Sequence, residues 1–84
     1  MNRKLYALIL GVSSGFGKAT AIELAKQGYN IFGAHLDMGS NKQKAEEFRN
    51  ELEQYGIKAK FYNMNAADDE VRKYIINDIK KEFD

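Results

Sequence analysis

Residues 11–17 read G-V-S-S-G-F-G, and glycines this close together suit the approach of an anion to the polypeptide backbone. The loop follows an apolar run, Leu5-Tyr6-Ala7-Leu8-Ile9-Leu10, and leads directly into a helical pattern. A helix starting there presents unpaired N–H groups and a partial positive charge of about half an elementary unit. Glycine lets a phosphate or pyrophosphate come near without a Cβ in the way. Ser13 and Ser14 have two readings, as hydroxyl donors to phosphate or ribose oxygens or as ordinary turn serines.

Other chemistry finds little material. There is no cysteine, which excludes disulfides and thiolate metal sites, and the one histidine, His35, builds no metal site by itself. A Ser–His–Asp set can be assembled on paper from Ser13 or Ser14, His35 and Asp37, but nothing nearby suggests an activated nucleophile. Glu46, Glu47, Glu51 and Glu53 alternate with Lys42, Lys44 and Arg49 in the manner of a solvated helix face.

The elements that must position the glycine loop follow from periodicity. A first strand is expected over Lys4–Leu10, its unbroken apolar character fitting a strand covered on both faces of a parallel sheet. A first helix is expected from about Phe16 to Gln27, with Phe16, Ala19, Ile22 and the Leu24/Ala25 pair inward and Gly28 as the residue past its end. A second strand is expected over Tyr29–Ala34, followed by the polar turn Asp37-Met38-Gly39-Ser40-Asn41. Ser40 and Gln43 fit a capping box opening a second helix, whose inner face reads Ala45, Phe48, Leu52 and Tyr55. Gly56 stops that helix, and Lys58–Met64 reads as a third strand. After the loop Asn65-Ala66-Ala67, Asp68 caps a third helix with Val71, Ile75, Ile79 and Phe83 on one stripe and Ile76 beside it.

The order β-α-β-α-β-α with right-handed crossovers implies an α/β, Rossmann-like half domain: one three-stranded parallel sheet in spatial order 3-2-1. The first two helices then share one face, and the third reaches the other. All 84 residues make a single domain, and a chain this size buries only ~60–65% of its unfolded surface. Hydrophobic residues at 44% and charged residues at 30% are an ordinary globular balance. A net charge of +1 argues against a nucleic-acid binder, which normally shows a basic surplus. The longest apolar run is far shorter than the ~20 residues that cross a bilayer, so no membrane partner is expected and a cytoplasmic location is.

With these elements placed, the chain resembles the N-terminal part of the short-chain dehydrogenase/reductase family. That family's cofactor motif, G-x-x-x-G-x-G after the first strand, is matched by Gly11, Gly15 and Gly17. The resemblance implies an oxidoreductase fragment whose cofactor is NAD or NADP. It implies that Gly11 makes the tight turn, Gly15 admits the pyrophosphate and Gly17 lets the helix pack on the sheet. Phe16 stands where the family has an aliphatic residue near the pyrophosphate, or else it is the helix's first core anchor. Leu10 departs from the family's threonine before the first glycine.

Cofactor choice in the family is made at the end of the second strand, here His35, Leu36 and Asp37. His35 is neither the acid expected for NAD nor the arginine expected for NADP, and its alternative is a histidine capping the strand end at the surface. Asp37 reaches a ribose if its loop folds inward, or is a solvated turn residue. With Ser14 in place of a basic residue before the second glycine, the pattern leans to NAD. Asn65 stands where the family has an aspartate near the adenine, and an amide can both donate to and accept from a base.

The family's chemistry uses a tyrosine, a lysine four residues on and a serine, and no tyrosine of this chain has a lysine at that spacing. The resemblance therefore implies a cofactor-binding half that is inactive alone. The alternative is a non-catalytic assembly module that keeps the fold without the ligand. In either reading the first strand's free edge, or the uncovered sheet face, invites a homodimer.

Overall fold

The computed structural model describes residues 5–36 and 40–83, without the side chains of Ser40 and Phe83. Lys4, Asp37 with its turn through Gly39, the Ser40 capping side chain and the Phe83 side chain lie outside this description. Six elements alternate: β1 (Tyr6–Leu10), α1 (Gly15–Lys26), β2 (Asn30–His35), α2 (Ser40–Glu53), β3 (Ala59–Asn63) and α3 (Asp69–Phe83). The strands form one parallel sheet in the order β1-β2-β3, with Tyr6 opposite Asn30 and Ile31 opposite Ala59. The expected half domain and its 3-2-1 order are what the chain adopts.

Alternation along the central strand sorts the two faces. Ile31 points to the side of α1 and α2, into a core of Val12, Ala21, Ala25, Phe48, Leu52 and Ala59. Phe32 and Ala34 point to the other side, where Tyr62, Ile75 and Ile79 join them beneath α3. Asp68 caps α3, its Oδ1 accepting from the Glu70 N–H at 2.8 Å. At the far end of α1, Gly28 takes φ +93°. Its N–H donates to Ala25 O at 3.0 Å, and the Tyr29 N–H donates to Leu24 O at 3.0 Å, a Schellman ending that turns the chain into β2.

Three expectations are corrected. The buried row of α1 is Gly17, Ala21 and Ala25, not a stripe led by Phe16 and Ala19; Phe16 is 86% exposed. Small residues bring the helix close to the sheet, and Phe16, about 100° around the helix from Gly17, is turned to solvent. The strand β1 is not covered on both faces, since Leu8 and Leu10 are 38% and 54% exposed. The core beneath α3 is built on β2 and β3 and takes from β1 only Tyr6, leaving Leu8 and Leu10 partly uncovered. Helix α2 ends at Glu53, so Tyr55 lies in the following turn and is exposed rather than on the helix's inner face.

Candidate functional site

The glycine loop is held by a dense set of short-range bonds. Gly11 adopts φ +77°, a left-handed conformation that side chains disfavour. The N–H groups of Gly11 and Val12 both donate to Ala34 O, at 2.9 and 3.0 Å, tying the loop to the end of β2. Val12 is fully buried. Ser14 is the N-cap of α1: its hydroxyl accepts from the Gly17 N–H at 3.0 Å and donates to Gly11 O at 2.8 Å. Its single hydrogen is thereby committed within the loop, whereas Ser13 is half-buried.

The three motif glycines differ in what demands them. A Cβ on Gly17 would lie 2.2 Å from Gly11 O, so the helix could not stand where it does with any other residue there. A Cβ on Gly15 would meet nothing within 4 Å, and its φ is not positive. Packing of the chain therefore gives no reason for Gly15. The N–H groups of Gly15 and Phe16 have no bonding partner among the described residues, and the first turn of α1 carries no acidic side chain. Two free donors with no Cβ over the first of them suit an anion's oxygens. Ser13 stands at the centre of a G-x-S-x-G string, but no described non-glycine residue has positive φ, so the strained elbow of a nucleophilic serine is not formed.

Beside the loop, at the C-terminal ends of the strands, lies a groove of about 210 Å³ lined by Gly11, Ala34, His35, Leu36 and residues 64–67. Crevices at this end of a parallel sheet are where such folds take ligands. His35 ends β2 with only 8% of its surface exposed and lies edge-on to Phe61, ring centroids 5.8 Å apart. A histidine capping the strand at the surface is thus not what the structure shows. The His35 carbonyl accepts from the Met64 N–H at 2.8 Å, joining the two strand ends. Asn65 is exposed, and its Oδ1 accepts from the Ala67 N–H at 3.0 Å. Gly11, His35 and Asn65 therefore share one groove; Asp37 lies outside the described residues.

Two features of the site were not singled out from the sequence. Gly33 lies against Val12, whose Cγ1 would sit 2.7 Å from a Cβ at that position. A glycine inside an otherwise apolar strand was the available signal of close approach. Arg72 donates from Nη1 to Ala66 O at 2.7 Å, and nothing in the spacing of residues announces that bond.

Elsewhere Tyr62, Lys60 and Asp78 form a cluster on the α3 side of β3. Asp78 Oδ2 accepts from the Tyr62 hydroxyl at 2.5 Å and from Lys60 Nζ at 2.7 Å. Burial, and then the hydrogen bond to Asp78, push the Tyr62 phenol above its ordinary value, which keeps it protonated and unsuited to act as a base. The Lys60 hydrogen bond and then that of Tyr62 hold the Asp78 carboxyl below its ordinary range. Larger surface depressions, such as one of about 500 Å³ along Asp69, Arg72, Lys73, Ile76 and Asn77, do not border the glycine loop.

The family model for short chain dehydrogenase matches residues 5–84. The 3-oxoacyl-(acyl-carrier-protein) reductase FabG of Staphylococcus aureus is 31% identical over 77 residues, covering 92% of this chain and 30% of that protein. Among solved structures, an alcohol dehydrogenase from Thermococcus sibiricus complexed with 5-hydroxy-NADP superposes with TM-score 0.82 at 23% identity, over 96% of this chain and 33% of that one. Carveol dehydrogenase from Mycobacterium avium, in complex with NAD, gives 0.79 at 19% identity, over 93% and 31%. The chain thus spans about a third or less of the length of these proteins, and its β-α-β-α-β-α unit corresponds to the N-terminal Rossmann-like part of their common fold. The chain belongs to the short-chain dehydrogenase family.

Proposed function

We propose that this chain is the dinucleotide-binding portion of an NAD(P)-dependent oxidoreductase. The observation that carries the reading is the contrast between Gly17, which packing requires, and Gly15, which nothing in the chain's own packing requires. In this reading the pyrophosphate sits over Gly15 against the free N–H groups of Gly15 and Phe16. Ser13 contributes a hydroxyl, and Phe16 shields one side. The Ser14 hydroxyl shapes the loop through its bonds to Gly11 and Gly17. The adenosine half lies in the groove of Gly11, His35 and Asn65. The residue types at Ser14 and Asp37 tilt the choice to NAD, with Asp37 the candidate for a ribose contact.

A nicotinamide cofactor would supply hydride transfer. The chain's own residues bind and orient it, and without a Y-x-x-x-K pair they perform no reduction alone. The relatives' names support the class and not a substrate. A location in the cytoplasm accords with the absence, among the described residues, of any helix long and apolar enough to cross a membrane. The second reading, a homodimeric assembly module without cofactor, is favoured by one observation: the exposed leucines along β1.

Titration of the chain with NADH and with NADPH, followed by amide NMR, tests the proposal. Saturable shifts at residues 11–17, Asp37 and Asn65 are expected, with NADH the tighter ligand. Absence of shifts at millimolar ligand refutes cofactor binding and leaves the assembly reading.

A further inference from the structure

We infer that Arg72 is a positioning residue for the adenosine side of the groove, an inference that takes its ligand from the function proposed above. Residues 65–67 form one wall of that groove. Most bonds that shape the wall are local: the Asn65 carboxamide oxygen accepts from Ala67 N–H at 3.0 Å, and the Asn65 carbonyl accepts from Asp68 N–H at 3.1 Å. Local bonds of this kind define a turn's shape but not its place against the rest of the fold.

Ala66 packs against the core beneath α3, and Arg72 adds a directional bond to that packing. Standing in α3, it donates from Nη1 to the Ala66 carbonyl at 2.7 Å, the one bond to this turn from a side chain outside it among the described residues. Its other terminal nitrogen pairs with Asp69. The side chain also lines a small apolar cleft of about 70 Å³ with Leu8, Leu10, Ile75 and Ile76. The guanidinium thus has two partners, the carboxylate of Asp69 and the carbonyl of Ala66, while the residue borders the apolar cleft. A charge-assisted bond to a backbone carbonyl is among the stronger ones available. Ala66 is thereby referenced to α3, and the peptide groups on either side of it present a fixed edge to a purine.

The test separates the tether from the fold and from the ligand. Arg72→Met keeps the apolar stem and deletes the bond to Ala66; Arg72→Lys keeps the charge without the fork. In the ligand-free chain, Arg72→Met is expected to speed hydrogen exchange of the Ala67 and Asp68 amides about tenfold, with exchange in the β2 core unchanged. Arg72→Lys should fall between the two, and it decides the matter if the methionine variant does not fold. Affinity for adenosine monophosphate should fall about tenfold in Arg72→Met, while Asp69→Asn, which spares the bond to Ala66, should change it little. Unaltered exchange at Ala67 and Asp68 overturns the inference whether or not nucleotide binds. A wild-type chain that binds no nucleotide, with the exchange result as expected, refutes the proposed function and leaves the tether standing.

Discussion

The carbonyl oxygen of Gly11 lies 2.2 Å from the point where a Cβ would stand on Gly17, so the first and third glycines of the loop are locked to each other. The oxygen is backbone and already accepts both the N–H and the hydroxyl of Ser14, so it has no room to withdraw. Gly17→Ala should therefore destabilise the fold by about 1–3 kcal/mol, the usual cost of overpacking. Gly15→Ala should leave stability within about 0.5 kcal/mol of the parent, as expected for an open surface position, while weakening dinucleotide binding. Urea denaturation and NADH titration of the two variants check the contrast.

Gly33 and Val12 form a second locked pair, between the central strand and the buried residue of the loop. Gly33→Ala would bring a methyl to 2.7 Å from Val12 Cγ1 and should be destabilising. Combined with Val12→Ala it should cost less than the sum of the single changes, with a coupling of about 0.5–3 kcal/mol. A double-mutant cycle by chemical denaturation measures that term.

Asp78 joins α3 to β3 through Lys60 and Tyr62, and its carboxyl is held below the ordinary value of 3.8, first by Lys60 and then by Tyr62. Its contribution to stability is therefore present above that value and is lost as pH falls through the depressed one. The Tyr62 phenol, raised by burial and then by Asp78, favours the fold while protonated. Its contribution is lost as pH climbs above the ordinary value of 10.0. Asp78→Asn should cost about 1–2 kcal/mol at neutral pH and flatten the acid limb of the stability curve. Urea midpoints at pH 7 and pH 3 report both effects.

The partly uncovered side of β1 makes self-association measurable. Leu8 and Leu10 sit exposed on an edge strand that pairs only with β2 among the described residues. Two copies covering one another's leucines would bury about 1,500 Å², the size of an ordinary specific interface. Light scattering of the wild-type chain is expected to give a dimer, and Leu10→Lys a monomer with unchanged circular dichroism. A wild-type chain that stays monomeric at high concentration excludes the contact.

The order of elements was legible because glycines and polar turns punctuate it. Gly28 and Gly56 both take positive φ just past helix ends, and Asp68 caps where a helix must start. The inward stripe of α3 was equally plain, since Ile75 and Ile79 are large and regularly spaced. Helix α1 misled for the opposite reason. Its inner face is made of glycine and alanine, so a search for bulky apolar residues at helical spacing settles on Phe16, which faces water. At the site, residue types announced a glycine loop between strand and helix, while the Ser14 bonds within it, the burial of His35 and the reach of Arg72 to Ala66 depend on juxtapositions that spacing does not encode.

The row Gly17, Ala21 and Ala25 acts as a height gauge. Nothing on it exceeds a methyl group, so the helix axis rides at the least clearance the sheet permits, and the free N–H groups at its start inherit that clearance. Ala25 is about 12 Å along the axis from Gly17, two turns and more away from the glycine loop. A larger residue there would nonetheless lift the far end of a rigid rod and re-aim its near end. On the proposed function, changes in ligand affinity would thus originate at residues that never meet the ligand, and conservative enlargements along this row are where they would arise.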